Sequence, residues 1–273
     1  MSARSGDSIP AGEAYLGDTA VLRGHAGTQP DLFLRWNEIP VSAEAVDVAV
    51  HLHGFSQQGG AMPLAEKVGR SGLDLSGRTR PTLAILPRGN WIRHTWYDFP
   101  GLLDGGIDLL VDHALERFAE QFAPDRSFAV DRFILSGHSG GGMPAIDSIA
   151  GSQAQPDELY VFDGLYGRDP SQGDPMQGTE IIDAWLGDRI AGEPGRPGAL
   201  RIVYIEGQTG PFSRAVGDLI ARHIDSAPSM LRADLGRRYR VEHSAVPHGY
   251  VAAICGPVLL ADPAADLDWA RIV

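Results

Sequence analysis

The decapeptide Phe133–Gly142, FILSGHSGGG, sets Ser139 among four glycines directly behind a run of strand-forming residues. Glycine loses more backbone freedom on ordering than any other residue, so four in so short a stretch point to a backbone that side chains would obstruct. Within it GHSGG (Gly137–Gly141) fits the GxSxG spacing between a strand and a helical pattern. On such a turn the backbone is strained and the hydroxyl stands clear of the sheet, and the small residues two before and two after keep strand and helix from colliding. The amides at the start of the following helix favour developing negative charge, as acyl transfer requires. A phosphate-binding loop fits less well, since neither its lysine nor GxGxxG spacing is present.

Two further motifs accompany this one: HLHGFS (His51–Ser56) after an early strand-like run, and PHG (Pro247–Gly249) near the end. Together with the order of apolar runs and helical patterns from Val46 onward, they resemble the α/β-hydrolase superfamily, specifically its esterase- and lipase-like serine hydrolases. The resemblance implies an α/β fold with a mostly parallel central sheet, helices on both faces and a minimal cap. It also implies no cofactor, and a nucleophile, acid and base that follow one another in that order along the chain.

A serine hydroxyl needs a general base, and the base needs a third group to fix its tautomer. Three histidines follow Ser139. His223 lies in a polar helical stretch and reads as a solvated helix residue. His243 alternates with Val241 on the last strand and is expected to face a packed surface. His248 sits in the Pro- and Gly-bracketed loop AVPHGYV just beyond that strand, and is the expected base. Two carboxylates end two successive strands, Asp163 in YVFDGLYG and Glu206 in VYIEGQTG. In most similar proteins the acid follows the second of these strands, which nominates Glu206; others place it after the first, and the FDGLYG setting resembles those. Asp163 is preferred, and Glu206 stays open as the alternative.

Acyl transfer also concentrates charge on one oxygen, which preorganised backbone amides stabilise. Gly140, next after the serine, is expected to supply one amide. By resemblance to the His-Gly-x pattern, HGFS points to Phe55 for the other, with Ser56 its open neighbour. His51 and His53 project from one face of their strand, which would also suit a metal pair. HLHGFS, however, lacks the further Asp and His of the HxHxDH metallohydrolase run, so no metal is expected and His53 reads as ordering the oxyanion loop or touching substrate. The loop Pro87–Gly101 concentrates Trp91, Trp96, Tyr97 and Phe99, with Arg93 and His94 between them. Trp91, Trp96 and Tyr97, with Tyr166, are candidate substrate contacts; equally, such aromatics could cover the core.

Positioning these groups needs alternating strands and helices. Short apolar runs at Val46–Gly54, Thr82–Arg88, Asp131–Gly137, Glu158–Gly164, Leu200–Gly207 and Tyr239–Val246 read as strands, several apolar throughout as expected when both faces are buried. An N-terminal pair is expected around Ala20–Arg23 and Leu32–Trp36. Helical patterns fall at Ile107–Phe122, Met143–Gly151, Glu180–Leu186 and Pro211–Ile224, and GYVAAICGPVLLADPA can supply one more. Gly167–Thr179 and Gly192–Gly198 read as loops, so the 273 residues form one expected domain.

Composition narrows the partners. A net charge of −12 without a Lys/Arg cluster disfavours nucleic acid. One cysteine, Cys255, permits neither an intramolecular disulfide nor a thiolate zinc site. MSARSGDSIPAGEAYLGD lacks the apolar core of a secretory signal, and the expected location is cytoplasmic. The partner is expected to be a small molecule. The chemistry read from these residues is cleavage of a carboxylic ester, or of a thioester or amide by the same groups. A lyase, an acyltransferase or a catalytically silent protein of the same fold are the alternatives.

Overall fold

In the central strands alternate side chains enter opposite apolar layers: Val46, Val48, Val50, Leu52, Phe133 and Leu135 pack in one, Ala49 and Ile134 in the other. Strands buried on both faces need helices on both sides, and the chain provides them. The structure is a computed structural model and describes residues 8–25, 29–55, 63–90, 99–166, 179–191 and 198–261.

In chain order the elements are β1 (Ser8–Ile9), β2 (Gly12–Leu16), β3 (Leu32–Trp36), β4 (Ile39–Pro40), β5 (Ala45–Leu52), α1 (Leu64–Val68), β6 (Thr82–Pro87), α2 (Gly106–Phe122), β7 (Ala129–His138), α3 (Gly142–Gly151), β8 (Glu158–Phe162), α4 (Thr179–Ala191), β9 (Ala199–Tyr204), α5 (Gly210–Ser226), α6 (Ser229–Arg238), β10 (Tyr239–His243) and α7 (Val251–Leu260). One sheet runs β10-β9-β8-β7-β5-β6-β3-β2; β1 and β4 form a separate two-stranded ribbon. Within the large sheet β5 to β10 pair in parallel, while β3 and β2 are antiparallel at one edge. Helices α2 to α5 bury their apolar faces in one layer with Phe118, Ile146, Trp185 and Val216. On the opposite face Leu64 of α1 packs with Val251, Cys255 and Leu259 of α7.

From β5 the chain goes one way to β6 and returns past β5 to β7, so the sheet changes winding direction between β5 and β7. Open α/β sheets bind ligands outside the strand C-termini at such a point. Leu52 pairs with Gly137, and His138 with Phe162, so the ends of β5, β7 and β8 lie level.

The N-terminal pair is corrected. Leu32–Trp36 is a strand, but its partner is β2, whereas Ala20–Leu22 is a 3-10 turn. GEAYL alternates in burial as a half-covered edge strand does, and its Glu13 pairs with Arg35 of β3. The Ala20 turn is held instead by Asp31, whose Oδ2 accepts from the Thr19 amide. Helix α6 has no sequence expectation, because it buries no residue and carries no apolar stripe; Arg237 and Arg238 both bond Asp234 along it. His243 is exposed on the edge strand β10, not packed, with its ring against Tyr204. Of the expected loops, residues 167–178 and 192–197 lie outside the described residues, as do 91–98 with Trp91, Arg93, His94, Trp96 and Tyr97. No helix among the described residues is long and apolar enough to cross a membrane.

Candidate active site

Ser139 is the first residue beyond β7 and has φ +52°, the left-handed region that L side chains avoid by about 1–2 kcal/mol. A 3-10 turn, Ser139–Gly141, leads straight into α3. The turn closes tightly enough to exclude side chains: a Cβ on Gly141 would lie 2.1 Å from the Leu52 carbonyl oxygen, and one on Gly137 would lie 2.4 Å from that of Gly141. The next glycine has its own reason, found only in three dimensions. A Cβ on Gly142 would lie 2.3 Å from the Gly164 oxygen, so the entry of α3 is packed against the end of β8.

Asp163, one residue past β8, also has positive φ, +46°, and is 2 % exposed. Its Oδ1 accepts hydrogen bonds from the Ile205 amide at 3.0 Å and from the Thr209 hydroxyl. Its Oδ2 lies 2.5 Å from His248 Nδ1, and His248 Nε2 lies 2.8 Å from Ser139 Oγ. Ser139, His248 and Asp163 therefore form one hydrogen-bonded chain, the imidazole donating from Nδ1 and accepting the serine proton at Nε2. Burial alone would raise the Asp163 carboxyl, but the bonds from His248, Ile205 and Thr209 outweigh it and hold the group below its ordinary 3.8. The other expected acid, Glu206, is exposed and bonds Arg214 at 3.0 Å.

His248 is oriented from a second side. His138, the variable residue of GHSGG, donates from Nε2 to the His248 carbonyl at 2.9 Å, and the two rings lie 5.1 Å apart. Burial lowers His138 to about 4, so it stays neutral at physiological pH. Tyr166 places its hydroxyl 3.4 Å from Ser139 Oγ; burial and the nearby Asp163 push its phenol up, which keeps the proton on.

The loop after β5 meets the serine from above. A Cβ on Gly54 would lie 2.7 Å from the Ser139 Cβ, so Phe55 follows directly at the site, while Ser56 lies outside the described residues. His53 is buried with both ring nitrogens in use: Nε2 accepts from the Gly89 amide at 3.2 Å, and Nδ1 donates to the Gly54 carbonyl at 3.1 Å. Its pKa falls to about 3, mainly through burial and then through the charge of Lys67. His51 Nδ1 lies 2.9 Å from Ser136 Oγ. Among the described residues no three His, Cys, Asp or Glu side chains gather as metal ligands. Phe99 is buried against His53 and His25, a core position. His223 bonds Asp183 between α5 and α4, away from the serine. Thr209, His138 and the Gly142–Gly164 contact carried no sequence signal, because each acts across a distance along the chain that no local spacing records.

A parallel sheet with β5 and β7 at its centre, two antiparallel edge strands, and a tight serine turn between β7 and α3 is a specific arrangement. The chain has the α/β-hydrolase fold. No protein-family model and no curated protein matches it. Among solved structures it is similar to an S-formylglutathione hydrolase from Agrobacterium tumefaciens, at 11% identity and TM-score 0.47, over 92% of this chain and 96% of that one. It is similar also to the siderophore hydrolase EstB from Aspergillus nidulans, at 15% identity and TM-score 0.45, over 90% and 91% of the two chains. A third is MGS-M1, an α/β hydrolase from a Medee basin deep-sea metagenome library, at 12% identity and TM-score 0.47, over 97% and 93%.

Proposed function

We propose that this α/β-hydrolase-fold protein is a serine hydrolase that cleaves carboxylic esters through an acyl-enzyme. Ser139 Oγ attacks the ester carbonyl while His248 Nε2 takes its proton. Asp163, ionised and held by the β9 end, stabilises the imidazolium that forms. The amides of Gly140 and Phe55 stabilise the oxygen of the tetrahedral intermediate, helped by the N-terminus of α3. His248 then protonates the leaving alcohol, and a water activated by His248 releases the acid. Tyr166 is a polar contact for the substrate at Ser139. The observation that carries this reading is the chain Ser139 Oγ–His248–Asp163, at 2.8 Å and 2.5 Å. A thioester or amide would use the same groups, but an ester asks least of the leaving-group proton transfer.

The test is turnover of p-nitrophenyl acetate by the wild-type protein and by Ser139→Ala. Turnover in the wild type and its loss by about four powers of ten or more in the variant are expected. Equal rates for the two proteins would refute the reading. Serine labelling by a fluorophosphonate without ester turnover would move the protein to acyltransfer or lyase chemistry.

A further inference from the structure

All but one of the 23 Lys and Arg residues in the chain are arginine; the exception is Lys67. It lies on α1, is 7 % exposed, and donates from Nζ to the Gly54 carbonyl at 2.7 Å. Burying an ammonium carries a desolvation cost that a methionine of similar volume would avoid, so mere packing does not account for it. The carbonyl it binds also accepts from His53, and it belongs to the peptide linking Gly54 to Phe55. Gln29–Pro30 is the one cis bond among the described residues, so the Gly54–Phe55 peptide is trans. In a trans peptide the C=O and N–H point in opposite directions. Two donors that fix the Gly54 oxygen therefore also fix the direction of the Phe55 N–H, next to Ser139.

We propose that Lys67 is a positioning residue of the catalytic site, whose ammonium orients and polarises the Gly54–Phe55 peptide and so strengthens the Phe55 amide as an oxyanion donor. The proposal rests on the reading of Ser139 as the nucleophile. A charged donor on the carbonyl draws electron density through the peptide and makes its N–H the stronger donor, by the cooperativity of linked hydrogen bonds. Arginine, with its planar fork, is suited to carboxylates; a compact point charge suits one carbonyl in a confined space.

The arrangement has a titration consequence. Burial first, and then the charge of Arg70, lower Lys67 to about 8 against the opposing Glu66. The other titratable groups that sense it are His53 at the end of β5 and His138 at the end of β7, lowered to about 3 and about 4 and so neutral throughout the alkaline range. Tyr166 is raised above its ordinary 10.0. An alkaline loss of activity near pH 8 is thus assigned to Lys67.

Because the chain has one lysine, incorporation of lysine labelled with ¹³C at Cε gives one reporter resonance. Its titration is compared with the pH profile of kcat/KM for p-nitrophenyl acetate in the wild type, Lys67→Met and Lys67→Arg. The wild type is expected to lose about tenfold in kcat/KM with the midpoint of the resonance, near 8, since one of two donors weakens without being removed. Lys67→Met should run flat at the lower level, mostly through kcat, and Lys67→Arg flat without the alkaline loss. A wild-type profile that does not follow the resonance, or an alkaline limb that survives in Lys67→Met, overturns the assignment. Should Lys67→Met fail to fold, the same limb persisting in Lys67→Arg overturns it. These outcomes apply to a wild type that turns over the ester and is labelled by a fluorophosphonate; a wild type that does neither refutes the hydrolase reading and this proposal with it.

Discussion

The ends of β8 and β9 are near copies in sequence: an apolar run, a carboxylate, a glycine, as Phe162-Asp163-Gly164 and Ile205-Glu206-Gly207. In space they differ at every point. Asp163 is buried and accepts from three groups, whereas Glu206 stands in solvent beside Arg214. Two of the three donors to Asp163, the Ile205 amide and the Thr209 hydroxyl, flank Glu206 in the chain. The β9 end thus serves the β8 carboxylate rather than its own. The glycines differ too. Gly164 has no room for a Cβ, which would lie 2.9 Å from both Gly142 Cα and the Ser139 carbonyl oxygen, while a Cβ on Gly207 would meet nothing within 4 Å and only its φ of +114° calls for glycine. A strand end holds a buried, hydrogen-bonded carboxylate when neighbouring donors are already aimed at it, and a carboxylate at the right position does not suffice.

Three pairs of substitutions can break this comparison. The largest effect is expected from the acids themselves: Asp163→Asn should lower kcat by about 10⁴, through the wrong imidazole tautomer, and Glu206→Gln should stay within about twofold of wild type. A reversed order in steady-state kinetics would transfer the role to Glu206. Next come the glycines. Gly164→Ala displaces the serine turn and should cost about 10² in kcat/KM, as small misplacements at reacting groups do. Gly207→Ala should keep activity and lower stability by about 1–3 kcal/mol through backbone strain alone, measured by urea unfolding. The smallest pair is Thr209→Val against Arg214→Ala. With Asp163 held below 3.8 in the folded protein, its contribution to stability is present above that value and is lost as pH falls through the folded pKa. Removing the Thr209 hydroxyl raises the folded value towards 3.8, so in Thr209→Val the acid loss of Tm should be smaller and should be complete at a higher pH. Arg214→Ala should leave the size and end point of that loss unchanged, because an exposed pair contributes little.

Much of the frame was legible because burial on both faces writes long apolar runs, as in Val46–Leu52 and Thr82–Pro87, and because α2 buries one stripe of its amphipathic pattern. Edge elements were harder to read. β2 carries only a five-residue alternation and α6 no apolar stripe, so ion pairs and neighbours decide their structure. At the site, Ser139, His248 and Asp163 lie on local motifs that a sequence can display. The groups that orient them do not: Thr209 reaches back 46 positions to Asp163, His138 crosses 110 to the His248 carbonyl, and Lys67 binds Gly54 from a five-residue helix. Such contacts are set by the packing of strand ends and leave no spacing to recognise.

The most direct measurement of the central claim is the rate and site of fluorophosphonate modification, read by peptide mass in wild type, Asp163→Asn and Glu206→Gln. The account predicts one adduct, on the peptide bearing Ser139, formed at the wild-type rate in Glu206→Gln and slowed by orders of magnitude in Asp163→Asn. An adduct on another residue, or slowing in Glu206→Gln alone, would contradict it.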